Sequence, residues 1–126
     1  MDQNAFDNEV LALGKVVEPT YDKWRAEYRE RVRKLLLMTI KLYVADLEEN
    51  PHHFQGGVYY SSLNTTDESM PRHERMSAWS AEMDSFLGTY GAHEINQDMI
   101  NIILQYSPFH VEDRMYSGGF HVSYKG

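Results

Sequence analysis

The triplet Phe-His-Val occurs twice near the end of the chain, as Phe109-His110-Val111 and Phe120-His121-Val122. Two imidazoles over a sheet have the acid–base chemistry to act on a phosphodiester, because each titrates near neutral pH. His121-Val122-Ser123 has the His-x-Ser form used by two-histidine phosphoesterases, and Tyr116 or Arg114 would assist. His110-Val111-Glu112 lacks the hydroxyl. Both triplets also fall within one hairpin, whereas those enzymes draw the pair from separate halves. The plainer reading is two exposed strand histidines flanked by core residues, which leaves a small hydrolase or ribonuclease as an alternative expectation.

The remaining histidines do not complete a metal motif. His93-Glu94 and His73-Glu74 open like a zincin helix, but Gln97 and Ser77 stand where the second histidine is required. His52 and His53 are adjacent, and on an extended segment adjacent side chains point to opposite faces. The chain has no cysteine, which excludes a disulfide framework and thiolate chemistry. Gly56-Gly57, Gly118-Gly119 and the Gly88/Gly91 pair are turn devices without phosphate-loop spacing. No metal and no cofactor is expected.

Charge placement points instead to binding. Residues 21–34 hold six cations, Lys23, Arg25, Arg29, Arg31, Arg33 and Lys34, against Asp22, Glu27 and Glu30. That is an excess of +3, and against a whole-chain charge of −7 the remainder carries −10. Arg25, Arg29 and Arg33 are four apart and form one ridge of a helix. Beside Trp24 and Tyr28 they could meet phosphate, an acidic protein surface, or a second copy of the chain. The plain alternative is a solvated face paired with neighbouring glutamates. Further along, Asp46, Glu48 and Glu49 fall at a helix C-terminus, where carboxylates oppose the macrodipole. This local violation reads as an acidic knob aimed at a basic partner, with Tyr59 and Tyr60 as aromatic anchors just downstream.

The elements that must position these residues follow from spacing. Tyr21, Trp24, Tyr28, Val32, Leu35, Leu36, Ile40, Tyr43 and Leu47 step by threes and fours, predicting a helix over 20–49 that Asn50-Pro51 stops. At roughly 45 Å it is longer than a small domain needs, so part of it is expected to project or serve a partner. Before it, residues 1–18 read as a flexible lead-in, with one short turn capped by Asp7-Asn8 and ended by Gly14. Residues 52–66 look extended, with Val58–Leu63 as a strand. Asn64–Ser69 reads as a turn cluster, and its Asn64-Thr65-Thr66 sequon is taken as loop.

A second helix follows Pro71, with Met76, Trp79, Met83, Phe86, Leu87 and Tyr90 on one face. Gly88 and Gly91 end it. A third starts at Asn96, stapled by Ile95 and Ile100, with Met99, Ile102, Ile103 and Tyr106 inward. Phe109–Lys125 reads as a hairpin turning at Gly118-Gly119, which sets Tyr116 opposite His121 and Glu112 opposite Lys125. Val111, Met115, Phe120 and Val122 then share the core face, and Asp113 is misplaced on it. The expected fold class is α+β: about three helices, one long, on a small antiparallel sheet including the C-terminal hairpin, as a single domain 1–126.

Composition agrees. Nine Tyr, five Phe, two Trp and seven Met in 126 residues carry the core that scarce aliphatics leave open. Neither a signal sequence nor a spanning segment is expected from the composition of the first twenty residues and the short apolar runs, so a cytoplasmic protein without membrane contact is expected, in the host cell if phage-encoded. The balance resembles that of small acidic inhibitors such as phage anti-defence and bacterial immunity proteins. The expected function is therefore a non-catalytic protein that binds and inhibits or modulates a larger partner at a basic, nucleic-acid-binding surface. Direct nucleic-acid binding is not expected. The residues assigned to contact are Asp46, Glu48, Glu49, Tyr59, Tyr60, Arg25, Arg29 and Arg33. A structural subunit self-associating through the long helix is the third expectation, with a homodimer as its form.

Overall fold

The computed structural model describes residues 2–61, 71–91, 95–114 and 118–125. Its elements in chain order are α1 (Gln3–Glu49), α2 (Pro51–Phe54), β1 (Val58–Ser61), α3 (Pro71–Tyr90), α4 (Gln97–Ile103), β2 (Phe109–Arg114) and β3 (Gly119–Tyr124). The class is α+β, with the strands in the antiparallel order β1-β3-β2. By contact the chain forms two compact units, 1–31 and 32–126.

The first unit is helical from Gln3 onward, which corrects the expected lead-in. Asp2, not Asp7, is the cap: its carboxylate accepts from the Ala5 N–H at 2.8 Å. Neither Gly14 nor Pro19 ends the helix, and Pro19 lies inside it. Glycine costs a helix about 1 kcal/mol and proline about 3 kcal/mol, so other interactions must hold this segment helical.

In the second unit the expected stripe of α1 is the core: Val32, Leu35, Leu36 and Tyr43 are buried. α3 contributes Met76, Trp79, Met83 and Phe86, and the sheet contributes Tyr60, Val111, Phe120 and Val122. Trp79 Nε1 donates to Thr39 Oγ1 at 2.8 Å, and that hydroxyl donates to the Leu35 carbonyl at 2.7 Å. The indole N–H is thereby satisfied inside the core. α3 ends at Tyr90 with Gly91 at φ +85°, the left-handed conformation that glycine adopts without a steric penalty.

α4 begins as read from the sequence, with Asn96 accepting from the Met99 N–H at 2.9 Å and with Ile95 and Ile100 both buried. Its inward face differs. Ile100 is the buried residue, whereas Ile102 and Tyr106 are exposed. Residues 51–54 also differ from the extended reading. Asn50 caps a single turn there by accepting from the His53 N–H.

The hairpin register is shifted by four residues. Val111 pairs with Val122, Glu112 with His121 and Arg114 with Gly119. Because the shift is even, the predicted faces survive. Gly119 is a strand residue, and a Cβ there would collide with the Tyr60 carbonyl on β1. The glycine is required by close strand approach rather than by the turn. β2 is an edge strand, and the Gln97 side chain covers it. Its Oε1 accepts from the Asp113 N–H at 2.7 Å, and its Nε2 donates to the Val111 carbonyl at 2.8 Å. That contact accommodates Asp113 at the end of the core face. Leu63, the 64–69 turn cluster, His93-Glu94, Met115 and Tyr116 lie outside the described residues.

Candidate functional site

Asp46 occupies the stripe of α1 that Leu35, Thr39 and Tyr43 define, so its side chain points inward and is 1% exposed. β1 brings the Tyr60 hydroxyl to 2.6 Å from one carboxylate oxygen. The first turns of α3 bring Arg72 Nε to 2.9 Å and an Arg75 guanidinium nitrogen to 3.4 Å from the other. Arg75 also meets Glu49 at 2.8 Å. The Arg72 guanidinium lies over the rings of Phe54 and Tyr60, 5.5 and 5.8 Å from their centroids.

Burial pushes the Tyr60 phenol far above its ordinary range, and its bond to Asp46 and the charge of that carboxylate push it the same way; Arg72 opposes this more weakly. The bond to Glu49 raises Arg75 against the effect of its own burial. A phenol that stays protonated and a carboxylate held by two guanidiniums form a clamp joining α1, β1 and α3. Breaking such a buried pair by removing one partner is costly.

The surface knob read from the sequence is therefore corrected. Asp46 and Tyr60 are inside, and Glu49 is paired with Arg75. Glu48 is exposed. Tyr59 is half-buried, with the Arg114 guanidinium 5.4 Å from its ring centroid. Arg25, Arg29 and Arg33 are all exposed on α1. Arg25 bridges Asp22 at 3.1 Å and lies 5.6 Å from the Tyr21 ring centroid.

The two hairpin histidines share a sheet face, but each has a different setting. His121 is flanked across the strands by Tyr59 and Glu112, and its ring packs so closely on Gly57 that a Cβ there would lie 2.7 Å from Cε1. His110 pairs with Ser123 and lines a cleft of about 160 Å³ with Ile100, Leu104, Phe109 and Lys125. The residues lining that cleft do not include His121. Among the described residues, no group of three or more His, Cys, Asp or Glu side chains is placed to hold a metal ion.

No protein-family model, curated protein or solved structure matches this chain.

Sequence reasoning took residues 1–18 as a lead-in and set Tyr21 and Trp24 on the core stripe, whereas both are exposed. The helix of the first unit exposes Phe6, Val10, Leu11, Leu13, Val16, Val17 and Tyr21, with Trp24 41% exposed and stacked on Tyr28. Phe6, Val10, Leu13, Val17, Tyr21 and Trp24 repeat at steps of 4, 3, 4, 4 and 3, the period of one helix face. The signal was legible in that spacing, and it was hidden by reading Gly14 as a stop and starting the long helix only at residue 20. Soluble proteins rarely display a contiguous apolar face of this extent without a partner for it. Among the described residues no helix is long and apolar enough to cross a membrane.

Proposed function

We propose that this is a non-catalytic binding protein whose docking element is the apolar face of residues 6–24. The observation that carries the reading is that face itself: six large side chains at helical spacing, each between 41% and 62% exposed. Aromatic and aliphatic anchors on a helix are a recurring way to fill a partner's groove or to pair with another helix. The polar side of the segment carries Asp7, Glu9, Glu18 and Asp22 against Lys15 and Lys23. That keeps the expectation of a basic partner, now approached through the N-terminal segment rather than through the end of α1. Opposite charge on that partner would speed encounter and fix orientation.

The test compares wild type with Leu13→Glu/Val17→Glu as bait in its native lysate and as purified protein. Both substituted side chains are exposed, so the second unit keeps its fold. A stoichiometric partner, whether another protein or the chain itself, is expected with wild type and lost with the variant. Association equal in both, or absent in both, overturns the reading.

A further inference from the structure

The partner of this face can be identified further, on the reading that residues 6–24 are the docking element. We propose that residues 6–24 of two copies of the chain pair as antiparallel helices, with Phe6 of one set against Trp24 of the other.

Charge is the first argument. The beginning of the segment carries Asp2, Asp7 and Glu9 with no cation before Lys15, whereas from residue 18 to 29 the cations Lys23, Arg25 and Arg29 balance Glu18, Asp22 and Glu27. An antiparallel pair lays the acidic end of each copy on the cation-bearing end of the other, with Glu9 within reach of Lys23. A parallel pair stacks carboxylates on carboxylates and guanidiniums on guanidiniums, which is repulsive. Cations to meet the acidic end are thus present on the chain itself.

The side chains give the second argument. In an antiparallel pair centred on residue 15, Phe6 comes level with Trp24, Val10 with Thr20, and Leu13 with Val17. Those three layers hold apolar or β-branched side chains from both copies, as knobs-into-holes packing needs, and Tyr21 flanks them level with Glu9.

Helix propensity is the third. Val10, Gly14, Val16, Val17, Pro19 and Thr20 are all poor helix formers, yet the segment is helical throughout. Most helical stability comes from burial of an apolar face rather than from propensity. A bilayer surface is a poorer occupant, because interfacial helices carry Lys and Arg on the polar side, and this one carries carboxylates.

The absence of native cysteine makes the test direct. Light scattering of the purified full chain at tens of micromolar is expected to give twice the 14.7 kDa monomer mass. Leu13→Glu/Val17→Glu should weaken dimerisation at least tenfold while the thermal unfolding of the second unit persists. For orientation, Glu9→Cys and Lys23→Cys proteins are mixed and oxidised. A 9–23 disulfide between copies, in excess of 9–9 and 23–23, is expected. A monomer at all concentrations, a dimer indifferent to the Glu pair, or a dominant 9–9 disulfide each overturns the proposal. A purified monomer that still captures another protein through this face overturns the second-copy assignment alone and leaves the docking reading standing.

Discussion

The Tyr60 hydroxyl donates to the Asp46 carboxylate at 2.6 Å in the interior of the second unit. This is a charge-assisted bond, short and roughly twice as strong as a neutral one. It ties β1 to α1 at the point where Arg72 and Arg75 tie α3 to the same carboxylate. Asp46→Asn removes the buried charge that Arg72 and Arg75 share, leaving Arg75 with Glu49 alone, and should cost about 3–5 kcal/mol. Tyr60→Phe removes one bond to a charged group and should cost about 1.5–3 kcal/mol. Urea unfolding of the two variants measures both losses. Equal, near-zero effects would show that the cluster does not hold the fold together.

The same bond sets an alkaline limit on stability. The folded Tyr60 phenol is raised above its ordinary value of 10.0, so folding favours its protonated form. The stabilisation is complete below pH 10 and is lost as pH rises through the unfolded value toward the folded one, at up to about 1.4 kcal/mol per pH unit. Tyr60→Phe should flatten the fall in stability between pH 10 and 11 by up to that amount. Denaturant midpoints across this range read the difference, and identical slopes in wild type and variant would contradict it.

Gly119 faces the Tyr60 carbonyl at a separation that no side chain fits. Gly119→Ala forces β1 and β3 apart and should destabilise by about 1–3 kcal/mol, as overpacking does. Gly14→Ala meets open space and should stabilise the helix by up to about 1 kcal/mol. Thermal unfolding separates the two signs.

Pro19 removes a donor from the interior of α1, and its ring crowds the Lys15 carbonyl. Pro19→Ala should favour the helix by up to about 3 kcal/mol and should tighten self-association, because less of the binding energy goes into ordering the segment. Far-ultraviolet ellipticity and the dissociation constant report this together. Weaker association in the variant would mean that the proline shapes the interface.

The parts legible in the sequence were those that local spacing governs. The stripe of α1 from Tyr28 onward, the α3 face of Met76, Trp79, Met83 and Phe86, and the sheet faces all followed from period, and an even register shift left those sheet faces intact. Asp46 was misread because its partners lie 14, 26 and 29 residues away, beyond any local pattern. Its place on the stripe after Leu35, Thr39 and Tyr43 was nonetheless a readable sign of burial. Gly14 and Gly119 were taken as punctuation. Each is a residue whose local preference is overridden or reused by its surroundings, as tertiary context does to propensity.

The central claim, that the apolar face of residues 6–24 docks on a second copy, is tested most directly by amide hydrogen exchange of the full chain over a range of concentrations. Protection of residues 6–24 is expected to rise with concentration through the dimerisation range while that of the 32–126 unit stays constant. Exchange of residues 6–24 at the free-chain rate at every concentration would contradict the account.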